Sequence, residues 1–483
     1  MTGSLSPAKW TILLLFIMAG APTAQCQTFA SLVARLNSLP EPARQAVADS
    51  FMNAGHLLPY AESDTLVHFV YNSPATAVSM AGDATGWNPN RVFTLVSGCN
   101  FRYLDALFDP DARLDYKLVI NSGTWILDPG NPFTCTGGFG PNSELRMPAY
   151  QVPPEVSYHP AIPHGTVKDT IFHSALLGNS RHVWIYLPPG YPSGVTAYPL
   201  ILFHDGPDYL NLGNAANILD YLISEHLVAP VIGIFVPPVD RTAEYAGSSI
   251  DKFTGFVTDE LMPVIDARYQ TSTDPANRAM AGASDGGNIS LYIGMKHPEQ
   301  FGKIAAQSSD VQTVISNTFS TGPRLNLALY IDIGTYDIAE LIPMVHGLRD
   351  ILQSNGYSYQ FREWHEGHSW GNWKGHLRLP LMQFFPYTTG MNEPSAKPGP
   401  ELLPNRPNPF HDLTLIPFKA ENGSDIEISV TDITGRITEI IYSGKVSGSG
   451  YTIGYHHHQK PGSYILTLSE HHKIRSSEII QAF

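Results

Sequence analysis

Residues 278–297, RAMAGASDGGNISLYIGMKH, contain the stretch that decides the fold. The apolar segment 278–281 is typical of a short buried strand, and residues 288–297 are typical of a helix. Between them lies Gly282-Ala283-Ser284-Asp285-Gly286-Gly287, a G-x-S-x-G pattern that places a serine on a sharp strand-to-helix turn. Glycines allow such a turn without clashes, and a helix N-terminus stabilises nearby negative charge. We therefore predict that Ser284 is a catalytic nucleophile; a glycine-rich structural turn is the alternative.

Residues 165–386 alternate apolar segments of strand length with helical segments. Such alternation predicts a parallel sheet with helices on both faces. The predicted fold class is α/β, with an α/β-hydrolase catalytic domain between two β-sandwich domains. The predicted strands are HVWIYLP, YPLILFHD, PVIGIFVPP, RAMAGAS, KIAAQSS, LALYIDIG and YQFREW.

A serine hydroxyl is a weak nucleophile and needs a base, which in this fold follows an acid along the chain. His368 comes directly after the last predicted strand and is the expected base, whereas His365 is too close to the strand end and His376 falls in the next helix. Asp337 follows the strand LALYIDIG and is the expected acid that orients the imidazole.

Other carboxylates compete with Asp337. Asp332 lies inside its predicted strand and Asp310 ends an earlier one, and each is a structural carboxylate on the simpler interpretation. A Ser–His pair that works without a close acid is also open.

An oxyanion hole needs backbone N–H groups aimed at the developing negative charge. One is expected from Asp285, directly after the nucleophile. The second is expected from the loop His204-Asp205-Gly206-Pro207-Asp208; because Pro207 has no N–H, Gly206 is the candidate. The carboxylate of Asp285 would either repel an anionic intermediate or bind a polar substrate group.

Three further residues are candidate substrate contacts. Arg241 and Glu244 follow the strand PVIGIFV, at the sheet edge where ligands bind in open α/β sheets, although a loop ion pair is an equal alternative. Trp370 follows His368 closely and could line an acyl or sugar pocket, with aromatic core packing as the alternative.

The segment before the α/β region has two parts. Residues 27–64 predict a helical lead-in that Pro40 and Pro42 interrupt, and residues 65–152 show the short strands and frequent turns of a β sandwich. Trp87 and Trp125 in this sandwich either stack on a sugar or belong to its core. In an oxidising compartment a Cys99–Cys135 disulfide is one expectation, with two isolated thiols as the alternative.

The two ends of the chain carry their own signals. Residues 1–26 have the short apolar run and small residues of an export signal peptide, so we expect a secreted or cell-surface protein. Residues 387–403 form a polar, proline-rich linker, and residues 404–483 return to short strands. The three adjacent histidines 456–458 alternate between the faces of a strand and cannot converge on one metal ion.

Composition excludes some classes of function. The net charge of −14 and the lack of a basic patch argue against nucleic acid as a partner. We find no metal-binding motif and no glycine-rich phosphate loop, and expect no cofactor. The oligomeric state is left open.

The motifs HDGPDY, RTAEY, GASDGG, GTYD and GHSWGNW stand in an order that resembles the esterase family of enterochelin esterase, esterase D and the feruloyl and acetylxylan esterases. The resemblance covers about residues 165–386 and implies ester hydrolysis by Ser284, His368 and Asp337. Asp285 departs from it, since many relatives carry Met or another apolar residue there.

Both flanking segments also resemble known domains. AVSMAGDATGW and DYKLVINSGTWILDPGNP are similar to the early-set sandwich that precedes catalytic domains in glycogen-branching enzymes and enterochelin esterases. Residues 404–483, with Pro407-Asn408-Pro409-Phe410, resemble the C-terminal sorting domain of the type IX secretion system, which implies that secretion machinery as a partner; an ordinary binding sandwich is the alternative.

The sequence therefore predicts a secreted serine esterase with an acyl-enzyme mechanism. Acylated polysaccharides and feruloyl-type esters are the favoured substrates, and siderophore lactones or polyesters are alternatives. A non-catalytic glycan-binding protein with a degenerate hydrolase domain is the alternative of another class, and a serine peptidase is a third.

Overall fold

The computed structural model describes residues 28–192, 197–387, 400–420, 422–432, 436–446, 450–470 and 473–482. The predicted signal peptide (1–26) and most of the predicted linker (388–399) lie outside the described residues. Among the helices that are described, none is long and apolar enough to cross a membrane.

Two helices precede the first sandwich, α1 (Phe29–Ser38) and α2 (Glu41–Met52). The side chain of Thr28 accepts a hydrogen bond from the amide of Ser31 and caps α1. The prolines were expected to end helical structure, but they start α2 instead. Proline is tolerated in a first turn because that N–H has no partner within the helix.

The first sandwich packs two antiparallel sheets around an aromatic and aliphatic core. One sheet has the order β1-β2-β6-β5, and β7 forms the centre of the other, pairing with β3, β8 and β10. The strands are β1 (Tyr60–Ala61), β2 (Leu66–Asn72), β3 (Val78–Gly82), β4 (Arg91–Val92), β5 (Thr94–Leu95), β6 (Phe101–Leu107), β7 (Arg113–Ile120), β8 (Thr124–Ile126), β9 (Thr134–Gly137) and β10 (Gly140–Arg146).

The expectation of a Cys99–Cys135 disulfide is wrong, because both residues are free thiols. Cys99 packs with the cluster under the two N-terminal helices, and its thiol lies 3.4 Å from the carbonyl oxygen of Val96. Cys135 is buried in β9, which belongs to the other sheet.

The α/β region is built on the strand order β11-β12-β14-β13-β15-β16-β17-β18. Strands β13 to β18 run parallel, and β11 and β12 form an antiparallel hairpin at one edge. The strands are β11 (Thr166–Ser174), β12 (Asn179–Leu187), β13 (Leu200–His204), β14 (Ile232–Val236), β15 (Arg278–Ala283), β16 (Lys303–Gln307), β17 (Ala328–Tyr336) and β18 (Ser358–Gly367).

Helices cover both faces of this sheet, as the strand–helix alternation predicts, and two separate apolar cores result. A π-helical turn, Phe256–Leu261, connects α6 to α7. The helices are α3 (Gly206–Asn211), α4 (Ala215–Ser224), α5 (Arg241–Tyr245), α6 (Ile250–Gly255), α7 (Met262–Arg268), α8 (Asp285–Lys296), α9 (Thr313–Thr321), α10 (Leu341–Ser354), α11 (Trp370–His376) and α12 (Arg378–Phe384).

The order of the strands creates a crevice at one sheet edge. From β13 the chain moves outward to β14 and then returns to β15 on the other side of β13. The chain therefore leaves the carboxyl end of β13 in one direction and the carboxyl end of β15 in the opposite direction. Such a place in an open α/β sheet is called a topological switch point, and ligands bind there. Ser284 and the loop that contains Gly206 follow these two strand ends.

The first sandwich is joined to the α/β sheet rather than separate from it. Strand β7 pairs in parallel with β18 through Arg113 and Glu366, and a continuous sheet of 14 strands results. This joint lies directly beside the end of β18, where His368 follows.

The C-terminal segment forms a second β sandwich. Its sheets have the orders β19-β20-β23 and β22-β21-β24-β25, and one apolar cluster includes residues of both. The strands are β19 (Glu401–Leu402), β20 (Leu413–Lys419), β21 (Asp425–Asp432), β22 (Ile437–Lys445), β23 (Gly450–His456), β24 (Gly462–Glu470) and β25 (Lys473–Ala482).

Candidate active site

Ser284 occupies the turn between β15 and α8 with φ 57° and ψ −127°. A non-glycine residue at such a positive φ is strained, and strain of this kind concentrates at functional sites. A Cβ on Gly282 would lie 2.0 Å from the carbonyl oxygen of Gly286, so only glycine allows the helix to start this close to the strand. The Ser284 amide donates to the carbonyl of Gln307 at 2.9 Å, which ties the turn to β16.

His368 and Asp337 form a hydrogen-bonded pair after the ends of β18 and β17. Nδ1 of His368 lies 2.7 Å from Oδ1 of Asp337, and the Asp337 side chain has no solvent exposure. The amide of Ile338 donates to the same carboxylate oxygen at 2.7 Å. The pair occupies Nδ1 and leaves Nε2 of His368 available for proton exchange.

The segment on either side of His368 is held by side chains. Asn372 donates from Nδ2 to the carbonyl of Gly367 at 3.0 Å. Ser369, the N-cap of α11, receives a hydrogen bond on Oγ from Nη1 of Arg113 at 3.0 Å. The His368 ring also meets the Trp373 ring edge to face, with centroids 4.9 Å apart. These contacts leave the imidazole little freedom to turn.

The two expected oxyanion donors start two helices at the crevice. Asp285 is the first residue of α8 and Gly206 is the first residue of α3, so neither amide has an acceptor within its helix. A Cβ on Gly206 would lie 2.3 Å from the carbonyl carbon of Phe235, so the loop needs glycine to pack on β14. The preceding residue, Asp205, has φ 53°, and its amide donates to the hydroxyl of Tyr245 at 2.9 Å.

Arg241 lies between these two helix starts. Its Nη1 donates to Oδ2 of Asp285 at 2.7 Å, and its Nη2 donates to Oδ2 of Asp205 at 2.9 Å. The carboxylate of Asp285 is therefore paired with a cation. Burial raises the pKa of Asp205, and the hydrogen bonds and charge of Arg241 oppose that rise.

Glu244, which we expected to contact substrate, is not among the residues that line the cavity of Ser284. It is buried, and its two carboxylate oxygens pair with Arg181 at 2.9 and 3.0 Å. Glu244 therefore forms an ion pair, which was the alternative to a substrate contact.

A cavity of about 650 Å³ opens at the carboxyl ends of the parallel strands. Ser284 and His368 line it together with Trp370, Trp373 and Arg241. The opposite wall comes from the first sandwich and includes Trp87, Asp115, Lys117, Trp125, Phe139 and Asn142. Trp370 lines the cavity, but it is also buried in the apolar core, where its ring lies 5.1 Å from that of Tyr209, so the core-packing alternative describes it as well.

The competing acids and bases have other partners. Nδ1 of His365 lies 2.6 Å from Asp111, and Nε2 of His376 lies 2.7 Å from Glu366. Asp332 is fully buried, accepts from the Tyr330 hydroxyl at 3.1 Å, and burial raises its pKa to about 6. Of the residues that the structure describes, no group of three or more His, Cys, Asp or Glu side chains is arranged to hold a metal ion.

Residues 174–383 match the family model described as "Putative esterase". This domain is a carboxylic ester hydrolase. The endo-1,4-beta-xylanase/feruloyl esterase of Xylanibacter ruminicola is 31% identical over 201 residues, which are 39% of this chain and 27% of that protein. The uncharacterized protein YjcH of Bacillus subtilis is 27% identical over 226 residues, which are 44% of this chain and 94% of YjcH.

A solved structure extends the likeness in fold beyond the esterase domain. The enterobactin esterase of Shigella flexneri, crystallised in the presence of enterobactin, superimposes with a TM-score of 0.58 at 22% identity. The match covers 67% of this chain and 94% of that one. The α/β fold with mixed sheets is therefore shared over more than the matched family segment.

Two residues around the candidate site were not predicted from the sequence. Arg113 is buried in β7 and reaches Ser369 from the sandwich, more than 250 positions away in sequence. Gln307 is buried, accepts from the hydroxyl of Tyr209 at 3.1 Å and donates to the carbonyl of Trp373 at 3.0 Å. The alternation of Arg113 and Asp115 with apolar Leu114 and Tyr116 is a signal, since charged residues on one face of a strand with buried neighbours need partners.

Proposed function

We propose that the protein is a secreted serine carboxylic-ester hydrolase of the α/β-hydrolase type with an acyl-enzyme mechanism. Oγ of Ser284 attacks the ester carbonyl carbon while Nε2 of His368 takes the hydroxyl proton. Asp337 holds the imidazole through Nδ1 and stabilises its charged form. The carbonyl oxygen becomes an oxyanion, which accepts hydrogen bonds from the amides of Asp285 and Gly206.

The second half of the reaction mirrors the first. The C–O bond to the alcohol breaks as the tetrahedral intermediate collapses, and His368 returns the proton to the departing alkoxide. His368 then removes a proton from water, whose oxygen attacks the acyl-enzyme. Collapse of the second intermediate releases the carboxylic acid and restores the Ser284 hydroxyl.

The hydrogen bond of 2.7 Å between His368 and Asp337, on the cavity that Ser284 also lines, carries this proposal. A fluorophosphonate probe tests it, because such probes react with activated serines only. We expect labelling of the wild-type protein and none of Ser284→Ala. Labelling that survives this substitution would reject Ser284 as the nucleophile, and an unlabelled wild type would favour the alternative of a non-catalytic glycan-binding protein.

The composition of the cavity supports acylated polysaccharides or feruloyl-type esters as substrates. Trp87 and Trp125 of the sandwich are 36% and 45% exposed, so both indoles are open to a ligand. Trp370 and Trp373 lie on the side of Ser284. The sugar part of such a substrate would lie against the sandwich, and its acyl group would lie against the α/β domain. The feruloyl esterase activity named for the Xylanibacter relative agrees with this assignment.

A siderophore lactone is the second candidate, favoured by the fold that this chain shares with the Shigella enterobactin esterase. Catechol rings would also fit against indoles, and a polyester segment would fit an aromatic cavity of this size. Initial rates on methyl ferulate, feruloylated and acetylated xylan oligosaccharides, a catecholate trilactone and a polyester film separate these classes. The highest kcat/KM identifies the substrate class, and a preference for the trilactone would reject the glycan assignment.

Export is part of the same proposal. Residues 1–26 would direct the chain across the inner membrane, and residues 404–483 would be recognised by type IX secretion machinery. Deletion of residues 404–483 is expected to leave esterase activity intact and to retain the protein in the periplasm. Normal export of the truncated chain would contradict the role of the tail.

A further inference from the structure

A single guanidinium group touches three segments around the nucleophile. Arg241 donates to Asp205 through Nε at 3.0 Å and through Nη2 at 2.9 Å. It donates to Asp285 through Nη1 at 2.7 Å and to the carbonyl oxygen of Ala283 through Nη2 at 3.2 Å. The planar fork of arginine fits such simultaneous contacts, whereas a lysine ammonium is a point charge.

The segments it joins are the ones that carry the expected oxyanion donors. Asp205 immediately precedes Gly206, and Asp285 supplies the other amide itself. The two amides belong to different helices after different strands, and the distance between them depends on how α3 and α8 are held together. The side chains of Asp205 and Asp285 meet on Arg241, which links the two helix starts directly.

Arg241 is itself braced from behind. It starts α5, and Tyr245 at the end of α5 accepts the Asp205 amide on its hydroxyl at 2.9 Å. Asn288 of α8 donates from Nδ2 to the carbonyl of Tyr245 at 2.8 Å. Helix α5 therefore contacts both helix starts twice, through Arg241 and through Tyr245.

The same contacts also neutralise the two carboxylates beside the oxyanion hole. Two carboxylates next to a developing oxyanion would raise its energy if they were unpaired. Arg241 places a positive charge between them, and its own pKa is raised because hydrogen bonds and charge from Asp205 outweigh burial. The negative charge of Asp285, directly after the nucleophile, is thereby neutralised by Arg241.

We propose that Arg241 is the positioning residue of the oxyanion hole, which fixes the Gly206 and Asp285 amides at the spacing that the tetrahedral intermediate needs. This role rests on the proposed function, in which Ser284 forms an acyl-enzyme. It predicts that Arg241 acts on the transition state and not on the binding of substrate. Loss of the bridge should lower kcat and leave KM unchanged.

The test compares Arg241→Lys and Arg241→Met with the wild type on a small p-nitrophenyl ester. Rates are normalised to active sites titrated with the fluorophosphonate probe, so that unfolded protein does not count. We expect kcat to fall about 10- to 100-fold in both variants, at or below the roughly 100- to 1000-fold loss that follows removal of one oxyanion donor, because the two amides are displaced and not removed. Affinity for a boronic acid analogue of the tetrahedral intermediate should fall by the same factor.

Arg278→Lys is the matched control. Arg278 is the first residue of β15, and Ser284 follows the other end of that strand. Arg278 is buried and donates from Nη2 to Asp266 at 2.5 Å. This substitution should lower the melting temperature without changing kcat. Asp285→Ala removes one anchor of the bridge and should reproduce the loss in kcat even if the Arg241 variants fold poorly.

The outcomes separate the two proposals. An unlabelled wild type rejects the esterase mechanism itself. A labelled wild type with full kcat per active site in Arg241→Lys and Asp285→Ala overturns the positioning role and leaves the mechanism intact. A rise in KM at constant kcat also overturns it, because it would make Arg241 a substrate contact.

Discussion

Nη1 of Arg113 lies 3.0 Å from Oγ of Ser369, so a side chain of the first sandwich holds the residue that follows His368. Arg113 is buried and also pairs with Asp115 at 2.6 Å and with Glu144 at 2.8 Å. A Cβ on Gly371 would lie 1.9 Å from the guanidinium carbon, so the start of α11 packs directly on this group. The sandwich is therefore a structural part of the catalytic domain.

Arg113→Met should lower kcat at least 10-fold, because Ser369 loses its hydrogen bond and the loop of His368 loosens. It should also destabilise the fold by about 3–5 kcal/mol, since Asp115 is left buried without its cation and Glu144 keeps only Arg146. Activity per titrated active site and thermal unfolding measure the two effects. Arg91→Met, a half-buried arginine of the same sandwich, is the control.

A chain that lacks residues 28–152 provides a stricter test of the same relationship. If the sandwich only carried the enzyme to its substrate, this truncation would hydrolyse small esters at the rate of the full chain. We expect it to be inactive or insoluble, because β18 loses its neighbour β7 and the His368 loop loses Arg113.

Asp337→Asn should lower kcat by about 10³- to 10⁴-fold with little change in KM. The amide cannot stabilise the imidazolium and favours the wrong tautomer of His368, as the triad mechanism requires. Initial rates of hydrolysis of a p-nitrophenyl ester measure the loss in kcat. Asp310→Asn is the control, since Asp310 follows β16 and the carboxylate that meets His368 Nδ1 is that of Asp337; equal losses in both variants would remove Asp337 from the mechanism.

The pKa of Asp332, raised by burial to about 6, predicts a pH dependence of stability. A carboxyl whose pKa is higher in the folded state binds its proton more tightly there, so stability falls as pH rises from about 4 to about 6. A difference of about 2 pKa units corresponds to about 3 kcal/mol. Above pH 6 this contribution is constant.

The variant Asp332→Asn lacks this titrating carboxyl group. Its stability should therefore fall less than that of the wild type as the pH rises from about 4 to about 6. Melting temperatures at pH 4.5, 5.5, 6.5 and 7.5 measure it as the difference between variant and wild type. Parallel curves for the two proteins would show that Asp332 does not titrate in this window.

Sequence reasoning selected Ser284, His368 and Asp337 as candidates because each lies at a strand end that glycine and polar residues mark. The structure brings His368 and Asp337 into contact and places Ser284 on the same cavity. Those positions follow from local patterns: a strand, a turn and a helix within about 20 residues.

What sequence reasoning missed depends on contacts between distant segments. The pairing of Arg113 with Glu366 across two domains leaves no periodic signal. For Arg241 the sequence left a substrate contact and a loop ion pair open, and its guanidinium is paired with Asp205 and Asp285 in the structure. The second N-terminal helix was missed for a local reason, because a proline that ends one helix is equally suited to begin another.

Trp125→Ala tests whether the sandwich wall binds the sugar part of the substrate. Trp125 lines the cavity and is 45% exposed, so its removal should cost little stability. Loss of one stacking platform is worth about 1–1.5 kcal/mol, so KM for a feruloylated oligosaccharide should rise about 10-fold. KM for methyl ferulate, which has no sugar, should not change.

Trp87 is held more firmly and should matter at least as much. It has φ 61°, and its indole N–H donates to the buried carboxylate of Asp83 at 3.2 Å, so the fold fixes an aromatic face at the cavity in a strained conformation. Trp184→Ala, a half-buried tryptophan stacked on His182 in the β11–β12 hairpin, is the control and should leave both substrates unaffected. If Trp87→Ala and Trp125→Ala instead raise KM equally for methyl ferulate and for the oligosaccharide, the indoles bind the acyl group, and the two walls of the cavity exchange the roles proposed for them.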